Sequence, residues 1–91
     1  MNPLDQNSQA NALLDYIVRE VIGRPGISLS ADSPLVSSGL IDSFALVDLL
    51  AKLEDVTGMR IPAGKVQPKD MDTVNLMLLT ATRIGKPKKS S

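Results

Sequence analysis

The sequence predicts an all-α fold, a four-helix bundle with three long helices, one short helix and a long loop between helices 1 and 2. Three observations carry this. Apolar residues recur at helical spacing in three separate stretches, at about residues 8–22, 43–57 and 74–84. Residues that start or stop helices frame them: Ser8 and Gly23, Asp42 and Gly58, and Asp72 or Thr73. Aromatic residues are nearly absent, with one Phe, one Tyr and no Trp, so the core of a 91-residue domain has to be aliphatic. Residues 1–7 read as a flexible lead-in, residues 8–84 as the domain and residues 85–91 as a flexible basic tail.

In the first stretch Ala10, Leu13, Leu14, Ile17, Val21 and Ile22 share one face, and Asp15, Arg19 and Glu20 can point to water. Gly23 is a natural C-cap, and Pro25 forbids continuation. Residues 27–41 then make a long connection rich in Ser, Pro and Gly. Ile27, Leu29, Leu35 and Leu40 recur along it and are expected to tuck against the bundle. A short extended piece follows the second helix at residues 59–62. Pro68 suits the first position of a short helix ending at Met71, with Ile61, Val66 and Met71 as anchors. The last helix turns Val74, Met77, Leu78, Ala81 and Ile84 inward. Leu76 and Leu79 make it apolar all round, as for a helix packed between two neighbours.

The loop delivers the chain to Gly39-Leu40-Ile41-Asp42-Ser43-Phe44. Asp42 is a good N-cap, its carboxylate accepting from free N–H groups of the next turn. Ser43 falls in the first turn, at the positive end of the helix dipole, where a phosphate-linked group is well received. Nothing nearby in sequence could take its proton, so it is poorly placed to act alone as a nucleophile. Taken by itself, an Asp-Ser dipeptide is far more often a plain capping pair. On the second helix Leu46, Leu49, Leu53 and Val56 form the core face, flanked by Leu50. Phe44, Val47 and Ala51 fall on another face, bordered by Asp48, Glu54 and Asp55. Either this is an exposed contact strip with an acidic rim, or Phe44 folds inward and the acids are ordinary solvated charges.

Composition narrows the function classes. Without Cys there is no disulfide, thiolate nucleophile or thiolate metal site. Without His the commonest general base and transition-metal ligand are missing. Both absences weigh against an independent enzyme and leave a binding or carrier role untouched. The net charge is zero, yet three of the ten basic residues (Lys86, Lys88, Lys89) lie in the last six positions. Residues 1–85 therefore carry ten acids against seven bases, a net of −3. That balance favours basic protein partners over nucleic acid. No signal peptide, membrane-spanning run, internal repeat, Gly-rich phosphate loop or metal-ligand cluster is visible. The expectations are a monomer in the cytoplasm, with no membrane partner and no metal.

The layout and motifs together resemble the acyl carrier and peptidyl carrier proteins, over residues 11–84. The residues that carry the resemblance are Ser33-Pro34-Leu35, Gly39-Leu40-Ile41-Asp42-Ser43-Phe44 and the helix Ala45-Leu46-Val47-Asp48-Leu49-Leu50. Downstream are Gly58-Met59-Arg60-Ile61-Pro62 and Asp72-Thr73-Val74. The resemblance implies a bundle of acyl-carrier type. It implies that Ser43 carries a 4′-phosphopantetheine arm, added from coenzyme A by a separate Mg²⁺-dependent phosphopantetheinyl transferase. The arm would supply the thiol the chain lacks, holding an acyl or aminoacyl group as a thioester. Partners would then be an acyl- or aminoacyl-loading ligase and a downstream synthase or transferase, which perform the chemistry.

Asp42, carried over by position, would cap the helix and orient Ser43. Phe44, Val47, Asp48, Ala51, Glu54 and Asp55 would lie on the partner-recognition helix. Two departures are visible: Phe44 stands where most members have Leu or Met, and Ala45 and Leu46 replace positions often polar in fatty-acid carriers. The Gly-Leu-Ile-Asp-Ser spelling looks closest to D-alanyl and other stand-alone aminoacyl carriers. A fatty-acid or polyketide carrier, and a helical interaction module without an arm, are the alternatives.

Overall fold

The computed structural model describes residues 6–24 and 26–87. Residues 1–5 of the expected lead-in, the stop at Pro25, and residues 88–91 of the expected basic tail lie outside the described residues. The described chain is mostly helical, with three helices and a small sheet. Helix α1 runs Gln6–Tyr16 and continues as a π-helical turn, Ile17–Ile22. Helix α2 is Ala45–Thr57, strand β1 is Met59–Arg60, and 3-10 turns cover Ala63–Lys65 and Pro68–Met71. Helix α3 is Val74–Ile84, and strand β2 is Lys86–Pro87.

The aliphatic core lies where α1, α2 and α3 pack pairwise. Leu13, Ile17, Leu49, Leu53, Met77 and Leu35 are wholly buried there, with Met71, Val74, Ile61, Leu78 and Ala81 almost so. Each such Leu or Ile contributes about 1.5–3 kcal/mol by leaving water, the main favourable term available to a domain this small. The core faces read from the sequence hold at α1, where Leu13 and Ile17 are buried, and at α2, where Leu49 and Leu53 are buried.

Several expectations change. Gln6, Asn7 and Ser8 are helical, so Ser8 lies within α1 rather than capping it. The end of helix 1 is not α-helical. The N–H groups of Gly23 and Arg24 both donate to the Val18 carbonyl, at 3.0 and 3.1 Å, and the turn widens. Four of its six residues (Ile17, Val18, Val21, Ile22) are β-branched and stiff in a regular α-helix. Gly23 then stops it in the left-handed region, at φ 73°.

The short fourth helix expected from Pro68 is a single 3-10 turn, Pro68–Met71. Asp70 Oδ2 accepts from the Gln67 N–H at 2.9 Å and caps it, and four residues are too few for an α-helical ladder. In the loop Leu40 does not tuck in. It is 41% exposed, and Ile41 takes the inward position at 5%. Leu76 and Leu79 on α3 face outward rather than into a second neighbour.

A small sheet, not expected from the sequence, joins the chain after α2 to the chain after α3. Met59 pairs with Pro87 and Arg60 with Lys86, antiparallel, so the start of the expected flexible tail at residues 85–87 is held. Gly85 permits this close approach. A Cβ there would run into the Ala81 carbonyl oxygen and come within 3.2 Å of the Met59 Cβ.

Candidate functional site

The loop that precedes Ser43 is tied down mainly by the start of α3. Asn75 donates from its side chain to Asp32 Oδ1 (2.6 Å) and from its backbone to the Ala31 carbonyl (3.0 Å). Asp72 does more. Its Oδ1 accepts from the N–H groups of Leu35 (3.2 Å), Val36 (2.8 Å) and Ser37 (2.8 Å), and its Oδ2 accepts from the Ser37 hydroxyl (2.9 Å). These donors hold the Asp72 carboxyl below its ordinary value. The Ser37 N–H acts most, and partial desolvation works against the shift. The sequence had offered Asp72 or Thr73 as the cap of α3. The two divide the work: the Thr73 hydroxyl oxygen accepts from the Leu76 N–H at 3.0 Å and caps the helix, leaving Asp72 for the loop.

Beyond Asp72 the turn is closed by the Gly39 N–H on the Val36 carbonyl (3.1 Å), with Gly39 at φ 81°, a conformation that suits glycine. The Ile41 N–H donates to the Leu35 carbonyl at 3.1 Å, and buried Ile41 anchors the chain immediately before Asp42. Asp42 Oδ1 accepts from the Ala45 N–H at 3.1 Å, the bond of an N-cap three residues ahead. A tight turn, with the N–H groups of Ala45, Leu46 and Val47 donating three residues back, leads into α2. Regular α-helix thus begins at Ala45, two residues later than expected, and Ser43 sits in the lead-in turn.

Ser43 is exposed, and among the described residues no hydrogen bond engages its hydroxyl. It lines an apolar cavity of about 240 Å³. Leu46, Val47 and Leu50 of α2 form one wall of that cavity, and Val66, Pro68 and Met71 form the other. The cavity is not visible in the sequence, where its signal, the apolar residues of the stretch after Pro62, carries no helical or strand period. An open hydroxyl in the turn before α2, beside an apolar recess, has room for an attached arm, and the recess could shelter an apolar part of it.

The candidate strip on α2 is real as a surface. Phe44 is 85% exposed and Val47 72%, so Phe44 does not fold inward. Asp48, Ala51 and Asp55 are exposed on the same side of the helix. Glu54 stands apart: it is half-buried, and its Oε2 accepts from the Ile61 N–H at 2.7 Å. That carboxylate braces the chain after β1 rather than standing free on the rim. At the back of α2, Lys52 Nζ lies 5.4 Å from the centre of the Tyr16 ring, a cation–π contact between α2 and α1. Among the described residues there is no cluster of His, Cys, Asp and Glu that could hold a metal ion, and no helix long and apolar enough to cross a membrane.

The arrangement agrees with comparisons to known proteins. A family described as "Phosphopantetheine attachment site" matches residues 12–77. The D-alanyl carrier protein of Lacticaseibacillus rhamnosus is 31% identical over 68 residues, covering 75% of this chain and 83% of that protein. No solved structure matches the chain. The matched residues take in the capped turn, the strip and the Asp72 brace together, and the group attached in this family is 4′-phosphopantetheine. The chain belongs to the family of phosphopantetheine-attachment-site carrier proteins.

Proposed function

We propose that this carrier protein holds an acyl or aminoacyl group as a thioester on a 4′-phosphopantetheine arm borne by Ser43, and presents it to partner enzymes of a biosynthetic pathway. The observation that carries the reading is the Ser43 hydroxyl, exposed and without a hydrogen-bond partner among the described residues, in a turn capped by Asp42. Asp42 fixes the turn, so the hydroxyl is offered at one place. The arm supplies the thiol on which cargo rides, and a chain with no Cys and no His needs nothing further for a carrier's task. A phosphopantetheinyl transferase would load the arm from coenzyme A. A ligase would load the cargo, and a synthase or transferase would take it off. Phe44, Val47, Asp48, Ala51 and Asp55 form the face on which these enzymes dock, the acids steering basic patches on the partner.

Similarity to a D-alanyl carrier protein favours an amino acid cargo. The apolar cavity beside Ser43 favours the second reading, an acyl chain of the fatty or polyketide kind. The test is intact mass after incubation with coenzyme A, Mg²⁺ and a broad-range phosphopantetheinyl transferase. Wild type gains the mass of the arm, and Ser43→Ala does not. No gain with wild type returns the chain to a helical interaction module, and a gain that survives Ser43→Ala moves the arm to another residue. Loading assays with amino acid and acyl substrates then separate the two cargo classes.

A further inference from the structure

Ser43 is placed from two sides, and both lead to the segment that opens α3. On the chain side, Asp72 gathers three successive backbone N–H groups, those of Leu35, Val36 and Ser37, and the Ser37 hydroxyl. The Asp72 backbone carbonyl also accepts from the Leu35 N–H, at 2.7 Å. The Leu35 carbonyl in turn accepts from Ile41, two residues before the serine. On the cavity side Met71, next to Asp72 and 1% exposed, lines the same recess as Ser43. Residues 71 and 72 therefore belong both to the brace on the loop and to the recess that Ser43 lines.

We propose that Asp72 is a positioning residue for the modification of Ser43: by holding the 35–37 turn it fixes where the loop delivers the serine to the modifying enzyme. This rests on the reading of Ser43 as the attachment point. Asp72 does not touch the reacting atoms and acts only through the loop. A hydroxyl displaced by about 1 Å from its reactive position can cost as much as a hundredfold in rate. A loop that loses its brace but keeps α2 should lose part of that, about tenfold.

The experiment measures the steady-state kinetics of arm transfer, with coenzyme A, Mg²⁺ and a broad-range transferase, for wild type, Asp72→Ala, Asp72→Asn and Ser37→Ala. The temperature is one at which circular dichroism shows each protein folded. Asp72→Ala lowers kcat about tenfold with KM within about twofold, because the docking strip on α2 is untouched. Asp72→Asn recovers most of the rate, since its amide oxygen can accept the same N–H groups. Ser37→Ala, which removes only the Oδ2 contact, lowers kcat about two- to threefold.

Wild-type kcat in a folded Asp72→Ala overturns the proposal, as does a rise in KM alone or an Asp72→Asn as slow as Asp72→Ala. If Asp72→Ala does not fold, Ser37→Ala decides, and an unchanged kcat there overturns it. Absence of any mass gain in wild type is a different failure: it removes the attachment reading itself and this proposal with it.

Discussion

Asp72 also ties stability to pH, with a sign that the structure sets. Its carboxylate is favoured in the folded chain by four donors, so its folded value lies below the ordinary 3.8. A group depressed on folding stabilises the fold fully above its unfolded value, and that contribution is lost as pH falls through the folded value. The window therefore opens near pH 3.8 and extends downward. The magnitude follows from what the carboxylate does. It caps consecutive backbone N–H groups, as an N-cap does, and removing such a cap costs about 1–2 kcal/mol. For a domain of this length that is a fall in Tm of roughly 5–15 °C. The assay is thermal melting of wild type, Asp72→Asn and Asp72→Ala by circular dichroism, near neutrality and at about pH 2. Wild type and Asp72→Asn share the other nine acids, so the difference between them isolates this group. Asp72→Ala should melt well below wild type near neutrality. The gaps between wild type and both variants should shrink as pH falls and the wild-type carboxylate takes up its proton. A gap between wild type and Asp72→Asn that is the same size at both pH values would refute the charge argument.

Three further outcomes are expected. Glu54→Ala leaves the Ile61 N–H without its acceptor and lowers stability by about 1–2 kcal/mol in urea titrations, while Glu54→Gln restores most of it. Equal loss in both variants would mean that the charge, not the acceptor, holds the chain after β1. Gly85→Ala drives a methyl group toward the Ala81 carbonyl and Met59, costing about 1–3 kcal/mol, seen as a lowered urea midpoint. Val47→Asp and Asp48→Lys, both exposed on α2, leave the far-UV spectrum unchanged and slow turnover by partner enzymes. Wild-type turnover in both would place docking elsewhere, on the loop before Ser43 for instance.

Helical periodicity made α2 and α3 legible because each buries one face and carries a recognisable stop or cap: Gly58 in the left-handed region after α2, Thr73 before α3. The π-helical turn was not legible, since Ile17, Val18, Val21 and Ile22 keep an apolar pattern whichever helical form they take. Leu40 and Ile41 show the limit of reading a loop, where no period says which of two adjacent apolar residues turns inward. At the site, Asp42 and Ser43 stand out in the sequence as a capped turn, and the exposure of Phe44 excludes only the reading in which it folds inward. Glu54 was assigned to the rim from its angle on the helix. The angle was sound, but a long side chain can reach a backbone N–H seven residues away, and wheel geometry does not register that. The Asp72 brace spans 35–37 residues of sequence and has no local signature.

The stack of Lys52 on Tyr16 has a practical consequence. Tyr16 is the single tyrosine, and there is no Trp to mask its emission. Its ring is half-buried between two helices with an ammonium group over it. Intrinsic fluorescence of the unlabelled protein is thus a single-site optical probe of the α1–α2 seam. Loss of the stack would change the ring's surroundings, and the seam could be followed during loading of the carrier without adding a dye.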